Sequence, residues 1–74
     1  MTPMKYLVII EKNENGFGAY VPDLPGCIAA GGTRDEVITL IQGAIEFHID
    51  GLKRSGDPVP KPKSQSEFVD VHAA

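Results

Sequence analysis

The side chains that could do chemistry in this sequence are one cysteine, Cys27, two histidines, His48 and His72, and a scatter of carboxylates. A cysteine nucleophile needs a base beside it. No spacing supplies one for Cys27, and a buried free cysteine is ordinary core material. With no second cysteine, no intrachain disulfide can form, and the zinc-binding spacings are absent. His48 falls within the apolar arc of a predicted helix and reads as a core or interface residue. His72 has no cysteine or histidine at ligand spacing. Glu11, Glu67 and Asp70 on predicted strands, with Asp23 at a turn, are the carboxylates that a two-metal nuclease would have to bring together. No helix carboxylate obviously joins them, because Glu36 reads as a helix cap and Glu46 and Asp50 as solvated charges. Gly31-Gly32 has neither the Walker nor the dinucleotide spacing. The expectation is no catalytic residue, no metal ligand, no cofactor and no enzymatic activity. The alternatives are a stand-alone ligand-binding or structural module and a minimal metal-dependent nuclease.

The most constrained stretch is Tyr20-Val21-Pro22-Asp23-Leu24-Pro25-Gly26-Cys27. Each proline fixes φ near −65° and removes a backbone donor. Each also pushes the residue before it, Val21 or Leu24, towards extended geometry. Gly26 can take a positive φ at little cost. Pro22, Asp23, Leu24, Pro25 and Gly26 therefore read as a rigid corner that ends one strand and launches the next, with Asp23 capping or bracing it. A rigid loop costs little entropy to dock, so the same corner is a candidate partner-binding patch.

The elements around the corner follow from pattern. Lys5 to Lys12 reads as a first strand, apolar on both faces, which points to a central or covered strand. Asn15-Gly16 is a hairpin signal. Phe17 to Val21 and Cys27 to Ala30 read as strands two and three. Thr33 followed by Glu36 is a capping box, with Asp35 adding negative charge to the first turn. The helix is predicted to run to about Arg54 and stop at Gly56. Its apolar residues Val37, Leu40, Ile41, Ala44, Ile45, Phe47, Ile49 and Leu52 cover an arc of about 200°, where one sheet needs about 100° or somewhat more. A second subunit is the simplest cover, so Leu40, Ile41, Ala44, Ile45, His48 and Leu52 are the candidate oligomer interface of a dimer or tetramer. Gly43 and Gly51 inside the helix cost about 1 kcal/mol each relative to Ala. They either admit another backbone or are simply tolerated. Pro58-Val59-Pro60-Lys61-Pro62 is a stiff connector to a last short strand, Glu67 to Val71.

These pieces assemble on paper as an α+β fold, β-β-β-α-β. The expected sheet is mixed and four-stranded, in the order 3-2-1-4, with one helix on one face and a right-handed crossover. Residues 1–74 make one domain, with residues 1–3 and 73–74 frayed. A chain this short buries only roughly 60% of the surface its unfolded form exposes, so a partner would help it.

Seven basic and ten acidic side chains give a net charge of −3. That argues against phosphate-backbone binding and suits a basic protein partner. A single cysteine fits a reducing cytoplasm. No apolar run approaches the ~20 residues of a membrane span, and Met1-Thr2-Pro3-Met4 does not open a signal peptide.

The run Phe17-Gly18-Ala19-Tyr20-Val21-Pro22-Asp23-Leu24-Pro25-Gly26-Cys27, with Gly31-Gly32-Thr33-Arg34-Asp35-Glu36-Val37 and Pro58-Val59-Pro60, resembles the HicB-like antitoxin family. Order and spacing agree from Lys5 to about Pro62. The resemblance implies a partial ribonuclease-H-like fold and a place in a bacterial or archaeal toxin–antitoxin pair. It implies as partner a HicA-like toxin, a small basic ribonuclease whose site the antitoxin occludes. Many members carry a carboxyl-terminal DNA-binding domain. The 74 residues leave no room for one, so no direct DNA binding is expected of this chain alone.

Overall fold

The computed structural model describes residues 4–73. The chain forms three strands, β1 (Ile9–Asn13), β2 (Gly16–Tyr20) and β3 (Ile28–Gly31), then one helix, α1 (Arg34–Arg54). The strands make an antiparallel sheet in the order β1-β2-β3. Ile9 stands opposite Tyr20 and Asn13 opposite Gly16; on the other side of β2, Phe17 stands opposite Gly31 and Tyr20 opposite Ile28. The hairpin at Glu14-Asn15 is closed from within, because the Asn13 carboxamide oxygen accepts from the Asn15 N–H at 2.9 Å.

The register separates two faces of the sheet. Ile10, Ala19 and Ala29 share a row turned to the helix. Ala19, Val21, Leu24, Cys27, Val37 and Ile41 form the buried core beneath α1, ringed by half-buried Tyr6, Val8, Phe17, Ile45 and Ile49. The opposite face has no helix. Its row Ile9, Tyr20, Ile28 remains open among the described residues, with Ile28 70% exposed.

The helix begins and ends on side-chain and glycine signals. Thr33 Oγ accepts from the Glu36 N–H at 3.1 Å, and Glu36 Oε1 accepts from the Gly32 N–H at 3.1 Å. The return bond thus lands one residue before the cap, a shifted form of the reciprocal pair. At the other end Gly56 takes φ 74°. Its N–H donates to Lys53 O, and the Asp57 N–H donates to Leu52 O at 2.9 Å. This double closure is the Schellman motif, which satisfies carbonyls that the last turn would otherwise orphan.

The expected four-stranded mixed sheet is overturned. Among the described residues there is no fourth strand, and the fold is β-β-β-α. Glu67 to Val71 carries no ladder, and its apolar side chains are in water: Phe68 is fully exposed and Val71 81% exposed. β2, not the first strand, is therefore central, and among the described residues there is no crossover to a fourth strand. The first strand is also shorter than Lys5 to Lys12. Leu7 and Val8 would continue opposite Pro22 and Val21, but there the partner chain turns and proline has no N–H to offer. The expected fraying of residues 1–3 and 74 lies outside the described residues; Ala73 is exposed and irregular.

Candidate interaction surface

The corner consists of two turns in succession. The Leu24 N–H donates to Val21 O, and the Cys27 N–H donates to Leu24 O, both at 3.1 Å. Each proline occupies the second position of its turn, where its fixed φ is already correct. Gly26, at φ 85°, supplies the positive φ that a type II turn requires at its third position. The Val21 N–H donates to Cys27 O at 3.2 Å and pinches the loop shut. Leu24 is thereby driven fully into the core.

Asp23 is 6% exposed, and its partners lie 40 residues away. Its Oδ2 accepts from the Lys63 and Ser64 backbone N–H groups, both at 2.9 Å. Its Oδ1 accepts from the Ser64 hydroxyl at 2.7 Å. The Ser64 hydroxyl and the two amides hold the Asp23 carboxyl below the usual carboxylate range. Beside it, the Tyr6 hydroxyl donates to Pro60 O. Burial first, and then the Asp23 charge, push the Tyr6 phenol above its ordinary value. Corner and first segment together clamp the proline connector. Sequence reasoning placed a bracing role at Asp23 but carried no signal of its partners, since a contact across 40 residues leaves no local pattern.

This geometry sorts the expected site residues. Asp23 and Leu24 are buried, whereas Pro22, Pro25 and Gly26 are exposed and form the corner's outer rim. Of the helix set, Ile41 lies in the core; Ala44, Ile45, His48 and Leu52 are half-buried; Leu40 is exposed. A residue outside that set is more prominent. Phe47 is 81% exposed, and with Leu40, Gly43 and Gly51 it follows the i, i+3, i+7, i+11 spacing of one helix stripe. A Cβ at Gly43 or Gly51 would meet nothing within 4 Å. The stripe is thus an aromatic ridge between two bare backbone positions, with Glu46 and Asp50 exposed beside it. A rule that counts apolar arc finds Phe47 but cannot say which edge of the arc remains uncovered.

Among the other chemical candidates, Cys27 is buried, and burial pushes its thiol up, away from the reactive thiolate. Glu11, Glu67 and Asp70 are exposed, and the Asp23 carboxylate is engaged by Lys63 and Ser64. Among the described residues, no three His, Cys, Asp or Glu side chains come together as a metal-holding group. No described helix is long and apolar enough to cross a membrane.

A family model described as HicB_like antitoxin of bacterial toxin-antitoxin system matches residues 6–73. A UPF0150 protein of Thermoplasma acidophilum is 41% identical over 71 residues, covering 95% of this chain and all of that protein. Antitoxin HicB 2 of Photorhabdus laumondii is 32% identical over 72 residues, covering 96% of this chain and 52% of that one. An uncharacterized 14.9 kDa protein of Haemophilus phage HP1 is 36% identical over 66 residues, covering 89% of this chain and 50% of the phage protein. The chain thus spans about half the length of these last two relatives. A chain of a solved HicA3 and HicB3 toxin-antitoxin complex superposes with a TM-score of 0.69 at 37% identity, covering 80% of this chain and 70% of that one.

Proposed function

The chain belongs to the HicB-like antitoxin family, and from that premise we propose that it binds a small HicA-type ribonuclease toxin and suppresses its RNA cleavage. The observation that carries this reading is the likeness, at 37% identity, to a chain of a HicA3 and HicB3 complex. The physical surface suits it. Nine of the ten acidic side chains are exposed: Glu11, Glu14, Asp35, Glu36, Glu46, Asp50, Asp57, Glu67 and Asp70. They present negative potential to a basic partner and speed encounter. Affinity comes from a few apolar anchors, and Phe47 with Leu40 is the anchor we assign. Bare backbone at Gly43 and Gly51 lets a partner approach the helix closely. The rim of the corner at Pro22, Pro25 and Gly26 is a second, rigid contact. Asp23 and Leu24 act beneath it by holding its shape. The pairing belongs in the cytoplasm, where the toxin's RNA substrates are.

The test is co-expression with a short basic reading frame adjacent to this gene, followed by pull-down and an RNA-cleavage assay. The expected result is a stable complex in which cleavage stops. Absence of a complex, or cleavage unchanged within one, removes the antitoxin role and leaves the fold and family assignments standing.

A further inference from the structure

The sheet ends at β3, and the helix overhangs that end. Among the described residues β3 pairs with β2 on one side only. Its outward groups follow from the ladder. The Val21 N–H donates to Cys27 O, so that pair is of the hydrogen-bonded kind. Hydrogen-bonded and open pairs alternate along antiparallel strands. Ala29 and Gly31 therefore bond to β2, opposite Ala19 and Phe17. Ile28 and Ala30 turn their N–H and C=O groups the other way, where no backbone partner meets them among the described residues. Donors and acceptors in such a row are a template for another strand. Charged side chains and prolines are usual guards of an edge, and Ile28-Ala29-Ala30-Gly31 has neither.

The helix supplies a roof. α1 packs mainly on β3 and β2. On one flank Ile38, Ile45 and Ile49 are half-buried; on the other Leu40 and Phe47 are exposed. Tyr6, Val8 and Ile10, in or just before β1, belong to the same half-buried ring as Ile45 and Ile49. The covered flank is therefore the one above β1, and the exposed flank lies above the β3 edge. From Thr33 the helix returns along β3 at about 1.5 Å per residue, so Leu40 lies roughly 10 Å back and Phe47 roughly 20 Å back. β3 rises about 3.3 Å per residue. Leu40 is thus level with Ile28, and Phe47 lies beyond it, towards the corner rim at Pro25 and Gly26. A strand added to β3 would run between Leu40 on the helix side and Ile28 on the open face, covering both.

Charge selects the occupant. Glu36, Glu46 and Asp50 are exposed on or beside this flank, and its cation, Arg54, is held by Asp50 at 2.9 Å. A second copy would bring the same carboxylates to the junction, whereas a basic chain complements them. We propose that the β3 edge, roofed by Leu40 and Phe47, takes an edge strand of the basic toxin, an inference that rests on the antitoxin reading. Main-chain hydrogen bonds supply affinity, and alternate side chains supply register. The chemistry calls for a short strand with apolar groups towards Leu40 and Ile28 and a lysine or arginine within reach of Glu46 or Asp50.

The experiment uses the complex of the full chain with the product of the adjacent basic reading frame. The Ile28 and Ala30 amides are expected to exchange hydrogen at least about tenfold more slowly in the complex than in the isolated chain. Ala30→Pro removes an outward donor, and proline is tolerated on an edge strand whose N–H faces solvent. This variant is expected to weaken binding at least about tenfold. Ile28→Lys changes a side chain that is already exposed. It sets a cation against the basic strand and is expected to weaken binding while leaving thermal unfolding unchanged. A complex that leaves both amides unprotected, or that binds both variants as tightly as the wild type, overturns this docking mode and leaves the antitoxin role standing. Protection that grows with concentration in the isolated chain overturns it in favour of a second copy. Absence of any complex removes both readings.

Discussion

Asp23 shows how a single carboxylate can organise a small protein. Hydrogen bonds to an ionised acceptor are stronger than neutral ones, and Asp23 accepts three of them, two from the backbone N–H groups of Lys63 and Ser64 just after the connector. Because its folded pKa is lowered, its contribution is present above the unfolded value of about 3.9. That contribution is lost as pH falls through the folded value. The prediction is that urea unfolding shows stability declining below about pH 4, and that Asp23→Asn removes this component of the decline. Hydrogen exchange at the Lys63 and Ser64 amides is expected to speed up in the variant; unchanged protection would count against the clamp. Gly16 is a second position where one atom matters. It sits at φ 138°, and a Cβ there would run into the Gly31 carbonyl oxygen. Strain of this kind costs on the order of 1–3 kcal/mol, so Gly16→Ala is expected to lower the urea midpoint by a corresponding amount while preserving the slope.

The helix and its caps were legible in the sequence because their causes are local. Thr33, Glu36 and Gly56 lie within a turn of the ends they define, and the structure runs the helix from Arg34 to Arg54. The hairpin at Asn15-Gly16 was legible for the same reason. What misled was the first strand, whose two apolar faces indicated a central position. The structure puts it at the edge, with one face on the core and the other open, because two-sided apolarity reports that a strand needs cover and not which chain supplies it. The segment from Glu67 to Val71 has strand-like composition but no strand partner among the described residues. The Asp23 clamp was illegible because its two sides are far apart in sequence. Gly43 and Gly51 can now be tested, since neither meets a neighbour within the chain. Replacing either by Ala is expected to raise the stability of the isolated protein by about 0.5–1 kcal/mol, through helix propensity alone. If the added methyl also weakens toxin binding, the glycines serve close approach by the partner. Unchanged binding would mean that they are only tolerated.

The whole molecule is a thin one, a three-stranded sheet with a helix on one face and apolar groups still exposed at several places. Among the described residues its buried core is six side chains, Ala19, Val21, Leu24, Cys27, Val37 and Ile41, all small or medium in size. The exposed apolar groups are separated in space by their elements: Tyr20 and Ile28 on the open sheet face, Leu40 and Phe47 on the helix, Phe68, Val69 and Val71 in the irregular segment after it. Such a molecule has more than one surface to satisfy, and different partners can satisfy them independently. We assign the helix ridge to the toxin. Phe47→Asp puts a charge where a buried aromatic anchor is expected. Truncating a central aromatic anchor typically costs 2 kcal/mol or more, so Phe47→Asp is expected to weaken toxin binding by at least about thirtyfold. Thermal unfolding of the isolated protein should change little, because the side chain is already in water. Raising salt from low to physiological should slow association of the wild type markedly and leave dissociation nearly unchanged, since exposed charges steer encounter and are screened over about 8–10 Å. Stopped-flow association and dissociation rates for both proteins decide the matter. Wild-type affinity in the Phe47→Asp protein would move the anchor elsewhere, and a salt effect confined to dissociation would exclude steering by the exposed carboxylates.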